Sequence, residues 1–179
     1  MTAFRARGIA PAVLIVAGLA AGCSDTATPD AGPTAAPAAN SLSNCTPLTE
    51  EQISRAAQAD TLTAHHRPPV CVWQAQRGDD ESELTFTFSD RESLQQRWQQ
   101  ADSDGFQTEH LTITEQIFGA TVTATGFYIR DPHDPGDCAV AAADNGTIVW
   151  RVQNHSHTTT PDPCATALQL ATLTIDLAP

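Results

Sequence analysis

The sequence predicts an α+β domain, single and stapled by two disulfides, behind a short N-terminal leader. Three observations carry that expectation: capped helical segments at three places after Cys45, alternating apolar runs between them, and four cysteines in a part of the chain that reads as exported. From Cys45 to Pro179 there are 135 residues, a normal length for one domain with its own core.

At the N-terminus, Arg5 and Arg7 form a small basic region, and residues 9–21 are an apolar run without charge, the layout of a secretory signal. Those 13 residues rise about 1.5 Å each, well short of the roughly 20 residues a bilayer-spanning helix needs. The segment Leu19-Ala20-Ala21-Gly22-Cys23 resembles a lipobox, the bacterial motif in which small residues precede a cysteine that is acylated on its thiol and becomes the new N-terminus; Ala20 stands where leucine is usual. The expectation is a signal peptide over residues 1–22 and a lipid on Cys23 holding the chain to the extracytoplasmic face of the cell membrane. The alternative is ordinary signal cleavage nearby, which leaves Cys23 a free thiol. Two or three acyl chains give durable attachment, because each buried methylene stabilises by about 0.8 kcal/mol and one chain alone is marginal.

Residues 24–44 are rich in Ala, Thr and Pro, with Pro29, Pro33 and Pro37 evenly spaced and almost no large apolar side chain. Such a stretch has too little apolar surface to bury a core and reads, with Cys23, as a disordered tether. Its reach is roughly 25 Å coiled and 65 Å extended. Losing the leader changes the formal charge from −12 to −14, since Arg5 and Arg7 go and all 21 acidic residues stay. That balance argues against nucleic acid as a partner: the remaining arginines are scattered, and there is no lysine. Lipid rather than surface charge would hold such a domain at an anionic leaflet.

Cys45, Cys71, Cys138 and Cys164 read as two disulfides rather than a metal site, because no zinc-type C-x-x-C spacing occurs. Three pairings are open. The favoured one is 45–71 with 138–164, which joins neighbouring elements across equal separations of 26 residues.

Along the domain, Thr49-Glu50-Glu51-Gln52 is a capping box, with Leu48 and Ile53 placed as its hydrophobic staple, and it opens a helix to about Ala59 with Ile53, Ala56 and Ala57 inward. Residues 70–76 and 83–89 alternate as half-buried strands around a Gly78-Asp79-Asp80 turn. A second helix is expected over residues 89–101, capped by Ser89 and Glu92, with Leu94, Trp98 and Ala101 at helical spacing. Residues 108–130 read as two or three strands broken at Gly119 and Gly126. Asn145-Gly146 between two apolar runs signals a two-residue hairpin, a register that pairs Ala143 with Ile148, Ala141 with Trp150 and Ala139 with Val152. Asp162-Pro163 supplies an N-cap and first-turn proline for a last helix to about Leu177, whose stripe of Cys164, Ala167, Leu168, Ala171 and Ile175 points Cys164 at the strand of Cys138.

With the lipobox and tether, the run Cys45, Pro47, Leu48, Thr49, Glu50, Glu51 opening a helix, and then Cys71-Val72-Trp73, the chain resembles the actinobacterial lipoproteins grouped as domain-of-unknown-function family 3558. The likeness spans nearly the whole chain after the leader. It implies an α+β domain with an antiparallel sheet packed against two to three helices and paired disulfides, broadly like extracellular sensor or ligand-binding domains. It carries over no catalytic residue.

Candidate chemistry is sparse. His155 and His157 would fall on one side of an extended segment, a spacing that can chelate a transition metal; a polar strand end running into a loop is the plainer reading. Asp131, His133, Asp134 and Asp137 form an oxygen-rich cluster without the ordered ligand spacing of a calcium loop, and its prolines mark a turn. His65 and His66 read as an exposed loop. There is no G-x-S-x-G elbow, and the acidic pairs Asp79-Asp80 and Asp102 with Asp104 sit in solvated loops. Trp73, Trp98 and Trp150 are candidates to line an apolar ligand cleft, and each also suits a core position. The expectation is therefore a non-enzymatic, lipid-anchored envelope protein without cofactor, binding an unknown ligand or protein on the concave side of the sheet. The alternatives are an envelope hydrolase with an unrecognised site and a purely structural lipoprotein. A deep cleft between sheet and helices favours ligand binding; a solid core favours a protein partner.

Overall fold

A computed structural model describes residues 44–67, 69–117 and 120–176. The leader, Cys23, the tether up to residue 43 and Gly119 lie outside the described residues. In chain order the elements are α1 (Glu50–Ala57), β1 (Thr61–Ala64), β2 (Cys71–Arg77), β3 (Asp80–Ser89), α2 (Leu94–Ser103), β4 (Gln107–Ile117), β5 (Ala120–Arg130), β6 (Asp137–Ala143), β7 (Thr147–Asn154) and α3 (Pro163–Asp176). The strands form one seven-stranded sheet in the order β1-β2-β3-β7-β6-β5-β4, every neighbouring pair antiparallel. The α+β class, the antiparallel sheet and the two disulfides are as the sequence led one to expect. Among the described residues no helix is long and apolar enough to cross a membrane.

The topology follows from two meanders and one crossover. The strands β1 to β3 run as a meander; α2 then carries the chain to the far edge, and β4 to β7 meander back until β7 closes against β3. Because side chains alternate across a strand, each strand serves two layers. On one face, Trp73, Leu84, Phe86, Val140, Ile148, Trp150 and Val152 meet Ile53 and Ala56 of α1 and Ala167, Leu170, Ala171 and Ile175 of α3. On the other, Phe127, Ile129, Ala139, Ala141 and Val149 meet Leu94, Trp98 and Ala101 of α2 and Phe106. The alanines of β6 leave room for helices on both sides of the sheet.

Thr49 caps α1 as expected: its hydroxyl accepts from the Gln52 N–H at 3.2 Å while its own N–H donates to Gln52 Oε1 at 2.9 Å. Asp162 caps α3 through Oδ1, which accepts from the Cys164 and Ala165 N–H groups. Both disulfides take the favoured pairing, Cys45–Cys71 and Cys138–Cys164, each closing 26 residues and contributing about 3 to 4 kcal/mol through loop entropy. The inward stripe of α3 also includes Leu170 and Thr174, and Thr174 accepts from the Trp150 indole N–H at 2.9 Å.

Three expectations need correction, and one strand was not expected. The β6–β7 hairpin turns through three residues, Asp144 to Gly146, so Ala142 faces Ile148, Val140 faces Trp150 and Cys138 faces Val152. The cause is at the tip: Asn145 takes a left-handed φ of 48°, the Asp144 N–H donates to the Gly146 carbonyl, and a Cβ on Gly146 would stand 2.5 Å from the Ser89 carbonyl oxygen. Second, α2 is capped by Ser93 with Gln96, one turn later than expected. Ser89 accepts from the Arg91 and Glu92 N–H groups in a tight turn, and Thr147 donates to the Glu92 carbonyl at 2.7 Å, which takes that acceptor away from any longer helix. Third, Gly126 does not break β5 but pairs through it, facing Leu111 and Ala142. The strand that was not expected is β1, an edge strand with little apolar alternation and so without a strand signal.

Gly126 allows close strand approach, since a Cβ there would lie 2.7 Å from the Ala141 carbonyl oxygen. Gly126→Ala should lower stability by about 1 to 3 kcal/mol in urea unfolding with an unchanged slope; an unchanged midpoint would contradict this packing.

Candidate functional site

The face carrying α1 and α3 is packed with buried side chains. Trp73 and Trp150, both buried, stack with ring centroids 5.5 Å apart, and Phe86 tilts against Trp150 at 4.9 Å. Of the three candidate cleft tryptophans, these two are core residues because the alternation of β2 and β7 turns them toward the helices. Trp98 is half-buried on α2, stacked on His110 at 3.9 Å and edge-on to Phe127 at 4.9 Å. The tryptophans therefore hold layers together, and none of them lines the cavity on the opposite face.

The opposite face is covered only in part. The α2 helix lies over β4, β5 and β6, and where its cover ends toward β3 and β7 there is a cavity of about 320 Å³. Its apolar wall comes from Ile129, Ala139, Val149 and Phe106, and its polar groups are Thr85 and Thr87 of β3, Asp137 and Arg151 of the sheet, Arg97 and Gln100 of α2, and Asp104 at the C-cap of that helix. The volume falls at the lower end of the range for small-molecule sites, and the mixture of apolar wall with a few polar groups is typical of them. Sequence reasoning missed this site because its polar residues come from four separate elements, and each alone looks like a solvated surface group.

Several of these polar groups are already engaged. Arg151 Nε donates to Asp137 Oδ1 at 2.7 Å, and Arg151 Nη2 contacts the second oxygen of the same carboxylate. Asp137 is only 5 % exposed, and its hydrogen bond and charge hold the Arg151 guanidinium above its ordinary pKa. Gln100 donates to both oxygens of Asp104 at 2.9 Å. Arg97 differs: its Nε is sheltered from solvent and has no hydrogen-bond partner.

The histidine and aspartate candidates cluster at the other end of β7 and do not converge. Residues 155–157 form a turn rather than an extended segment: the His157 N–H donates to the Asn154 carbonyl, and His157 takes φ 55°. Buried Asn154 organises that turn, accepting from Ser82 and donating to the Thr158 and Pro161 carbonyls. In consequence the His155 ring faces Glu81 at 3.4 Å, while the His157 ring meets Asp134 at 2.8 Å. Within the aspartate loop, Asp131 accepts from the His133 N–H and Asp134 from the Gly136 N–H. Burial works against ionisation of Asp134, but the hydrogen bonds from His157, Gly136 and Gln153 outweigh it and hold the carboxyl below its ordinary pKa. Asp131, Asp134, Asp137 and Asp162 line a second hollow of about 370 Å³, yet each of these carboxylates is already bonded within the fold. Among the described residues no group of three or more His, Cys, Asp or Glu side chains could hold a metal ion. His65 and His66 are exposed, and the His66 ring rests edge-on against Trp73 at 4.8 Å.

Comparison with known proteins finds one family: the family model described as "Protein of unknown function (DUF3558)" matches residues 18–177, which takes in the whole described fold. No curated protein and no solved structure matches the chain.

The Asp137–Arg151 pair sets a testable difference between two ion pairs. Removing Arg151 strands a carboxylate that is 5 % exposed, whereas removing Arg130 leaves Glu109, which is 66 % exposed. Arg151→Met should cost about 2 kcal/mol or more in urea unfolding and Arg130→Met under about 1 kcal/mol; equal losses would contradict the buried-pair account.

Proposed function

The chain belongs to this family of proteins of unknown function, and from that premise we propose that it is a lipid-anchored envelope protein whose folded domain binds a small ligand without chemical turnover. Its signal peptide spans residues 1–22, its lipidated tether residues 23–44, and its domain residues 45–179. The anchoring half of the proposal rests on the N-terminal pattern: a basic pair, a 13-residue apolar run and small residues before Cys23. An additional support is cysteine arithmetic. Cys45, Cys71, Cys138 and Cys164 pair with one another, so Cys23 is the one cysteine of five left for lipid.

The binding half rests on the cavity under α2. One face is packed with buried side chains, and the other holds an open volume with apolar and polar walls, the setting of a small-molecule site. The groups on that wall are suited to holding and orienting a molecule: a paired and an unpaired guanidinium, two threonine hydroxyls and a hydrocarbon side.

Cys23→Ala tests the anchor. In bacterial fractions the wild-type chain should partition with the membrane and carry the mass of its acyl groups, and the variant, once its leader is removed, should appear in the soluble fraction with both disulfides intact. A variant that stays on the membrane after leader removal would contradict the proposal, as would a soluble, unacylated wild type.

A further inference from the structure

We propose that the cavity under α2 takes a small monoanionic carboxylate with a hydrocarbon body, and that Arg97 is the residue that recognises its charged end; this rests on the ligand-binding reading above. Arg97 and Arg151 are the two cations of the cavity, and they differ in what they have left to offer. Arg151 is engaged by both oxygens of Asp137. Arg97 keeps an Nε sheltered from water and without an acceptor. That Nε is closed to a ligand as it is to water, so what Arg97 offers from the cavity wall is the terminal N–H groups of a guanidinium that no carboxylate of the fold engages. The planar guanidinium presents parallel N–H groups that match the two oxygens of a carboxylate, which gives orientation as well as attraction.

The surroundings choose among anions. Asp104 and Asp137 also line the cavity, and the whole chain carries a formal charge of −12. A single charge on the ligand is matched by the one unpaired cation, while a doubly charged phosphate would meet repulsion that nothing in the wall offsets. Thr85 and Thr87 add hydroxyls on the β3 side, and Ile129, Ala139, Val149 and Phe106 form a wall suited to methylenes. A cavity of about 320 Å³ stands at the lower end of the range for small-molecule sites, so the ligand should be small, on the order of ten non-hydrogen atoms. Octanoate has that size and charge.

Equilibrium dialysis of radiolabelled octanoate, octanol and octyl phosphate, each alone and the latter two also as unlabelled competitors of octanoate, against the purified full-length protein tests the assignment, with far-UV circular dichroism to confirm that the variants are folded. Arg97→Gln keeps helix propensity and should still fold. Octanoate should be retained by the wild type, octanol and octyl phosphate should compete poorly, and Arg97→Gln should weaken octanoate about tenfold or more. Arg97→Lys should recover part of the loss, because it restores the charge but not the paired donors. If octanol competes as well as octanoate, or Arg97→Gln binds octanoate as the wild type does, the carboxylate assignment is wrong and the ligand-binding reading stands. Octyl phosphate binding better than octanoate overturns the assignment in favour of a phosphate. Retention of none of the three at millimolar concentration overturns both the assignment and the ligand-binding reading.

Discussion

The Trp150 indole is the point at which the sheet and the α3 layer lock together. Its ring stacks on Trp73, tilts against Phe86 and is fully removed from solvent, while its N–H donates to Thr174 on α3. A buried indole needs both a hydrocarbon environment and one acceptor, and α3 supplies them together. The same residue fixes the register of β7. With a side-chain period of two, Trp150 pointing to α3 sends Val149 and Arg151 to the opposite face, and a slip by one residue would invert every one of these positions. The cavity wall, the Asp137–Arg151 pair and the floor under α2 all depend on that choice.

From it follows a division of labour between the faces. The face with α1 and α3 is tied by two disulfides, one joining Cys45 ahead of α1 to β2 and the other joining β6 to the first turn of α3. Its large side chains are interlocked and leave little freedom. The other face depends on α2 alone, of which only Ala101 is fully buried. That helix bridges the two meanders, so it must cross the sheet whether or not it covers all of it. Where its cover ends, the polar side chains of β3 and β7 come together with Arg97. Incomplete cover is thus a consequence of the topology, and it supplies the one cavity to which we assign a ligand.

Much of the fold was legible because its signals are local. The Thr49–Gln52 box, the Asp162-Pro163 helix start and the alternation of Leu84, Phe86 and Phe88 each depend on residues within a few positions of one another. The disulfide pairing was legible from spacing because both bridges link elements close in sequence. What failed depended on distant partners. Asn145-Gly146 correctly marked a hairpin, but the tip packs against Ser89, and that contact, invisible locally, accompanies a three-residue turn. Ser89 and Ser93 both had an acidic or amide residue three positions on, and the acceptor taken by Thr147, far along the chain, goes with the later start. The site was least legible. Arg97 resembles any arginine on an exposed helix until the fold shelters its Nε, and His155 and His157 suggest a chelating pair until Asn154 turns the chain between them.

Native-state amide hydrogen exchange compares the two faces directly, since regions with few buried contacts open at lower free energy than the core. The account predicts that amides of α3, β6 and β7, together with the Trp150 indole N–H, exchange only through global unfolding, and that α2 exchanges faster through a local opening that leaves the sheet intact. Protection in α2 equal to that in α3 would contradict the claim that one face is sealed and the other is left open for a ligand.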